Sequence, residues 1–182
     1  MATLQAGIAE LNKHRDHFLA IPFYSIYYYL NGLVEFKQAL PEKSIMIMCA
    51  AVSDFIPKEV VLHKIQTAEQ LSLELVSSPK MLGQMKGKEH LAVSFKLETD
   101  VEILKERVDL SIGKYGVDMV VGNCLKQKEW ISLTYNQNTF KGKHGEVYSN
   151  SEMGEVERHI VEKVLEAHKL KFNDWYDWCD LI

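Results

Sequence analysis

Apolar positions along this chain follow two spacings, one near 3.6 residues and one near 2, and their order predicts helices and strands in alternation. Leu4, Ile8 and Leu11 recur at helical spacing. FLAIP, from Phe18 to Pro22, reads as a short strand, and the aromatic-rich stretch Tyr24 to Leu40 as a second helix. The continuous apolar run SIMIMCAA, residues 44–51, has the character of a central parallel strand covered on both faces. A loop from Val52 to Gln70 follows. LSLELV then alternates as a strand, and Pro79 stands where a first helical turn would begin.

LAVSF predicts another buried strand. Thr99 and Glu102 form a capping-box pattern ahead of a helix carrying Val101, Leu104, Val108, Ile112 and Tyr115, and Gly116 is placed to end it. Asp118 to Val121 is the next strand, WISLTY and GEVYS read as a β-ribbon, and Val156, Ile160, Val161, Val164 and Leu165 mark a final amphipathic helix. The alternation implies an α/β fold, a Rossmann-like doubly wound and mostly parallel sheet with a C-terminal β-ribbon and helix. No internal repeat, linker or shift in composition divides the chain, so residues 1–182 are expected to form a single domain.

Composition narrows the function classes. The 182 residues are 47% hydrophobic and carry a formal charge of −4, with lysines spread along the chain, so nucleic acid is not an expected partner. The longest apolar-rich run, Phe18 to Leu40, is interrupted by Pro22, Asn31, Gly32, Glu35 and Lys37, which argues against a membrane span. The first residues lack the pattern of a secretory or transit leader, so the cytoplasm is the expected location. Cys49, Cys124 and Cys179 have neither disulfide nor zinc spacing and are read as reduced thiols. The histidines show no metal spacing, and there is no Ser-His-Asp order, GxGxxG or GxxxxGK[ST]. Tyr27, Tyr28 and Tyr29 fall on several helix faces, where packing in the core or at a subunit interface is favoured over a platform for stacking bases.

In open α/β sheets ligands bind outside the carboxyl ends of the strands. That rule selects Ala50 to Asp54, Phe95 to Thr99, and Gly122 with Asn123. Small Ala50 and Ala51 let a flat ligand approach the backbone, Asp54 can accept hydrogen bonds from a ribose or amino group, and Asn123 offers both donor and acceptor. Each also has a plain reading as a turn former or cap. Lys64, in LHKIQ, could neutralise phosphate or be simply solvated, and His63 beside it reads first as a surface residue.

Taken in order, CAAVSDF, HKIQ, SSPKML, SFKLETD and VVGN resemble the phosphopantothenoylcysteine synthetase family, and FLAIPF before an aromatic helix is similar to the preceding segment of eukaryotic members. The resemblance covers Leu4 to Lys169; the closing WYDWCDLI has no counterpart in it. It implies ligation of 4′-phosphopantothenate to cysteine through an acyl-nucleotide, with release of pyrophosphate, in coenzyme A biosynthesis. Charge accumulating on phosphate in such a reaction calls for Mg2+ and a lysine. The resemblance gives that role to Lys64, lines the nucleotide with Ala50, Ala51 and Asp54, packs Phe95 near the base and completes the pocket with Asn123. HKIQT looks like the eukaryotic lysine loop, which implies ATP rather than CTP.

The sequence departs from the family pattern at two places. Gly122 stands where alanine is usual, expected to cost only a methyl group at the pocket edge, and nothing before Leu4 matches the family's Gly-rich phosphate turn or its downstream asparagine. A sheet without those first strands would leave an edge and an apolar face open, so a homodimer or association with another chain is expected. Two functions therefore stand: the ligase, or a nucleotide-binding or regulatory homologue that lacks turnover and needs a partner chain. A nicotinamide-dependent oxidoreductase is disfavoured by the missing fingerprint.

Overall fold

The computed structural model describes residues 12–60, 63, 71–85, 87–150 and 154–173, with residues 7 and 9. Leu4, Ile8, Leu11 and WYDWCDLI lie outside them. Among the described residues there are seven strands: β1 (Ile45–Met48), β2 (Phe55–Pro57), β3 (Leu75–Ser77), β4 (Leu91–Glu98), β5 (Met119–Cys124), β6 (Gln127–Tyr135) and β7 (Glu146–Ser149). The helices are α1 (Ile26–Ala39), α2 (Leu82–Met85), α3 (Val101–Tyr115) and α4 (Glu155–Phe172), preceded by a 3-10 turn at Arg15–His17. Five strands form one sheet in the order β1-β4-β5-β6-β7, and β2 with β3 forms a separate two-stranded ribbon. The β1-β4-β5 pairings are parallel, and the β5-β6 and β6-β7 pairings antiparallel. The architecture is α/β with the expected C-terminal ribbon and helix.

Strand pleating splits the core. Leu91, Val93, Met119, Val121, Ile131, Leu133 and Tyr135 point to one face, where Val164 and Ala167 of α4 cover them. Ala92 and Val120 point to the other and pack with Leu104 and Val108 of α3. β4 and β5 are thus covered on both sides, as parallel strands require. β1 is not central. It is the edge of the sheet among the described residues, and Ile47 is 46% exposed, because no neighbour stands beyond it.

FLAIP is not a strand: Phe18, Leu19 and Ile21 are exposed and pair with no strand, since strand propensity forms a strand only where the chain lies against a partner. The second helix begins where Ser25 caps it, the side chain accepting from Tyr28 N at 3.3 Å. Only Leu30 of α1 is buried, and Tyr28 is 71% exposed, so neither it nor exposed Tyr27 is core.

At α3 the capping residue is Asp100 rather than Thr99. Its Oδ1 accepts from Glu102 N at 2.8 Å and Ile103 N at 3.3 Å, and a carboxylate at a helix N-terminus adds favourable charge. Gly116 ends the helix at φ 65°, a conformation that glycine adopts without strain. The segment after Pro79 enters its helix only at Leu82. Within α4, acidic Glu155 and Glu157 lie in the first turn and basic Lys169 and Lys171 in the last, matching the helix dipole at both ends. No helix among the described residues is long and apolar enough to cross a membrane.

Candidate functional site

Because β1, β4 and β5 run the same way side by side, their carboxyl ends at Met48, Glu98 and Cys124 share one edge of the sheet. Ala50 and Ala51 follow β1 after Cys49 and are exposed, with Val52 N turned back onto Ala50 O at 3.1 Å. The chain then enters β2, whose pairing with β3 places Phe55 opposite Ser77. Ser78 ties the two segments together: its backbone N–H donates to Asp54 O at 2.9 Å, and its buried hydroxyl donates to Ser53 O at 2.8 Å. The Asp54 carboxylate accepts from the Lys80 ammonium. That hydrogen bond, against a smaller opposing effect of burial and with the added charges of Lys80 and Lys96, holds the Asp54 carboxyl below the ordinary carboxylate range. Asp54 is therefore an ionised acceptor at neutral pH.

Lys96 connects this loop to the sheet, since it lies opposite Gly122 in the β4-β5 ladder. Phe95 and Asn123 face the α4 side: Phe95 pairs with Val121, and Asn123 lies two residues farther along the same face. Phe95 is half-buried against that core. Leu97, Asn123, Ile131 and Tyr148 form one row across four strands. The β5-β6 register shifts between Asn123 and Cys124, and such an irregularity re-aims the side chains beside it. Tyr148 stacks on His159 of α4 at 3.9 Å between ring centroids and 9° between planes, so the first turns of α4 reach this row.

Ala50 and Ala51 thus follow β1, Phe95 lies in β4 and Asn123 in β5, on three adjacent parallel strands, while Asp54 stands at the start of the β2-β3 ribbon with Lys80. Lys64 lies outside the described residues, and neighbouring His63 is exposed. Gly122 corrects the sequence expectation. More than a methyl at an edge is at stake: a Cβ there would lie 2.6 Å from Ser132 Oγ, 3.2 Å from Val108 Cγ2 and 3.3 Å from Leu104 Cδ1. The missing methyl makes room for close packing of β5 against β6 and α3. Sequence reasoning gave no role to Lys80, whose signal was its place in SSPKML beside Pro79. Among the described residues, no three His, Cys, Asp or Glu side chains converge as a metal site.

The chain was compared with known proteins. The family model described as "DNA/pantothenate metabolism flavoprotein C-terminal domain" matches residues 31–167. A phosphopantothenate–cysteine ligase of Oryza sativa subsp. japonica is 31% identical over 178 residues, 92% of this chain and 54% of the relative. One from Arabidopsis thaliana is 36% identical over 135 residues, 69% of this chain and 41% of the relative. The chain therefore spans about half, or less, of the length of these relatives. Among solved structures, a Cab2 mutant in complex with phosphopantothenate-cysteine matches with a TM-score of 0.77 at 24% identity, over 93% of this chain and 58% of that one, a likeness of fold.

Proposed function

Because the chain belongs to the family of the DNA/pantothenate metabolism flavoprotein C-terminal domain, we propose that its strand-end edge is the nucleotide site of a phosphopantothenate–cysteine ligase acting in coenzyme A biosynthesis. The observation that carries this reading is the placement of Asn123 near the carboxyl end of β5, beside parallel β4, with the Ala50 to Asp54 loop leaving the carboxyl end of neighbouring β1, where open α/β sheets take their ligands. In the proposed reaction the carboxylate of 4′-phosphopantothenate attacks the α-phosphorus of the nucleotide and expels pyrophosphate. The amine of cysteine then attacks the acyl carbon, forming the amide and releasing the nucleoside monophosphate. Asp54 would accept from the ribose, Asn123 and Phe95 would set the base, and exposed Ala50 and Ala51 would let it approach the backbone.

Lys64 is proposed to neutralise the charge that grows on phosphate, and ATP is the proposed nucleotide in preference to CTP. Mg2+ suits a site where no carboxylates converge among the described residues, because it keeps several waters and is bound largely through substrate phosphates. Its chemistry would be the neutralisation of phosphate charge. Exposed Tyr27 and Tyr28 support contact with a second copy or another chain, which sedimentation at rising concentration would detect.

The deciding experiment measures pyrophosphate release with 4′-phosphopantothenate, cysteine, Mg2+ and either ATP or CTP, beside calorimetry of each nucleotide. Release that requires both acceptor substrates and collapses in Lys64→Ala is the expected result. Nucleotide binding without release would favour the second reading, a binding or regulatory homologue completed by a partner chain; the chain's span of about half of its relatives keeps that reading open. Absence of both binding and release would defeat both.

A further inference from the structure

We propose that Lys80 is a positioning residue of this nucleotide site: its ammonium fixes Asp54 at the strand-end edge and cancels the carboxylate charge, so that a nucleoside triphosphate can approach an acceptor that would otherwise repel it. The assignment rests on the nucleotide reading above and adds to it a residue for which that reading has no use.

Asp54 is 75% exposed and Lys80 44% exposed, and a lone ion pair at such a place would be weak, because water screens it and two free side chains lose entropy in forming it. Here the backbone has already carried most of that loss. Ser78 holds Asp54 O and Ser53 O through its N–H and hydroxyl at 2.9 and 2.8 Å, and the ladder joins Phe55 to Ser77. Pro79 fixes one more dihedral immediately before Lys80. Only the lysine side chain remains to be ordered, and it ends on the Asp54 carboxylate.

The charge arrangement supplies the second half of the argument. An unpaired carboxylate at the mouth of a triphosphate site opposes its ligand. Lys80 and Lys96 both act on Asp54, giving two cations for one anion. The cluster is net positive by one charge, so it attracts phosphate while keeping the carboxylate's lone pairs available to a hydroxyl. A lysine ammonium suits this arrangement, being a compact charge that leaves the outer oxygen free, where a guanidinium would tend to engage both.

The test combines amide hydrogen exchange of the nucleotide-free chain with calorimetry of ATP and CTP, for Lys80→Met, Lys80→Arg, Asp54→Asn and the double variant Asp54→Asn/Lys80→Met. Lys80→Met should speed exchange across Ser53 to Phe55 and weaken ATP about tenfold, the scale of losing a charged hydrogen bond. Lys80→Arg should recover part of the affinity. The decisive sign is that adding Asp54→Asn to Lys80→Met improves binding over Lys80→Met alone, because it removes the repelling charge; a lysine that merely braced the fold would give an additive or greater loss. Binding indifferent to Lys80→Met, or a double variant no better than Lys80→Met, overturns the assignment and leaves the nucleotide reading intact. If the unsubstituted chain binds neither nucleotide, the nucleotide reading fails and the assignment with it.

Discussion

Lys171 Nζ in the last turn of α4 lies 2.8 Å from Asp118 Oδ2 at the head of β5, and the two side chains are only 9% and 7% exposed. Every strong valence of the pair is used. Lys171 also donates to Gly87 O at 3.0 Å and to His90 O, while Asp118 accepts from Ala92 N and Thr139 Oγ1, both at 2.8 Å. Asn136, after β6, is bound in turn through Nδ2 to Val117 O at 3.0 Å. This network fastens α4 to the amino ends of β4 and β5, at the edge opposite Asn123.

Removing one partner should leave the other buried and uncompensated. Lys171→Met is expected to lower stability by about 3 kcal/mol, and adding Asp118→Leu should cost less than the sum of the two changes. Urea unfolding midpoints at pH 7 test this. A Lys171→Met midpoint within error of the parent would mean that the ammonium is not held as described.

Gly122→Ala should destabilise the fold by about 1 to 2 kcal/mol, because Ser132 Oγ must rotate away and Leu104 and Val108 must yield a few tenths of an ångström. Adding Ser132→Ala removes the closest obstacle and should restore part of the loss. Thermal unfolding of the single and double variants checks the coupling, and an unchanged midpoint in Gly122→Ala would refute the packing account.

For the start of α3, Asp100→Ala is expected to cost about 1 kcal/mol and Thr99→Ala much less, since Asp100 accepts the Glu102 and Ile103 amides. The reverse order would restore the capping box that the sequence suggests.

Tyr135 supplies a pH dependence. Burial first, and then the negative charges of Glu146 and Glu166, hold its phenol above the ordinary tyrosine range. The protonated form is favoured in the folded state, so this contribution is full below about pH 10 and is lost as pH rises further. The denaturation midpoint should fall above that pH, and Tyr135→Phe should flatten the fall. Tyrosinate absorbance rising in step with unfolding is the expected signature; an unchanged slope in Tyr135→Phe assigns the effect elsewhere.

Periodicity located the helices and the β-ribbon well, because α3, α4, β6 and β7 each bury one face and carry that face in their spacing. It failed where strand pairing, rather than burial of a face, decided the outcome. SIMIMCAA has the composition of a central strand yet lies at the sheet edge among the described residues, and FLAIP has strand character without a partner among them, since neighbours in space are not written in a local window. The position of Asn123 near the carboxyl end of β5, and of the Ala50 to Asp54 loop after β1, was legible from the order of apolar runs. Lys80 was not, because its contact with Asp54 joins residues 26 positions apart. Gly122 was misread for a similar reason: the atom it must avoid belongs to Ser132, on another strand.

The pairing of β1 with β4 also sets an order of assembly. Ile45 meets Leu91, 46 positions later (91 − 45), whereas Leu133 of β6 meets Glu146 only 13 positions on (146 − 133). The ribbon can close as soon as its turn is made, while the ends of a long intervening segment must be brought together before β1 gains a single ladder bond. At translation rates of roughly 5 to 20 residues per second, the IMIM segment leaves the ribosome several seconds before its partner exists. Through that interval a methionine- and isoleucine-rich strand is available to chaperones and to neighbouring nascent chains, so the yield of folded protein should be more sensitive to the speed of synthesis between residues 48 and 91 than anywhere after β5.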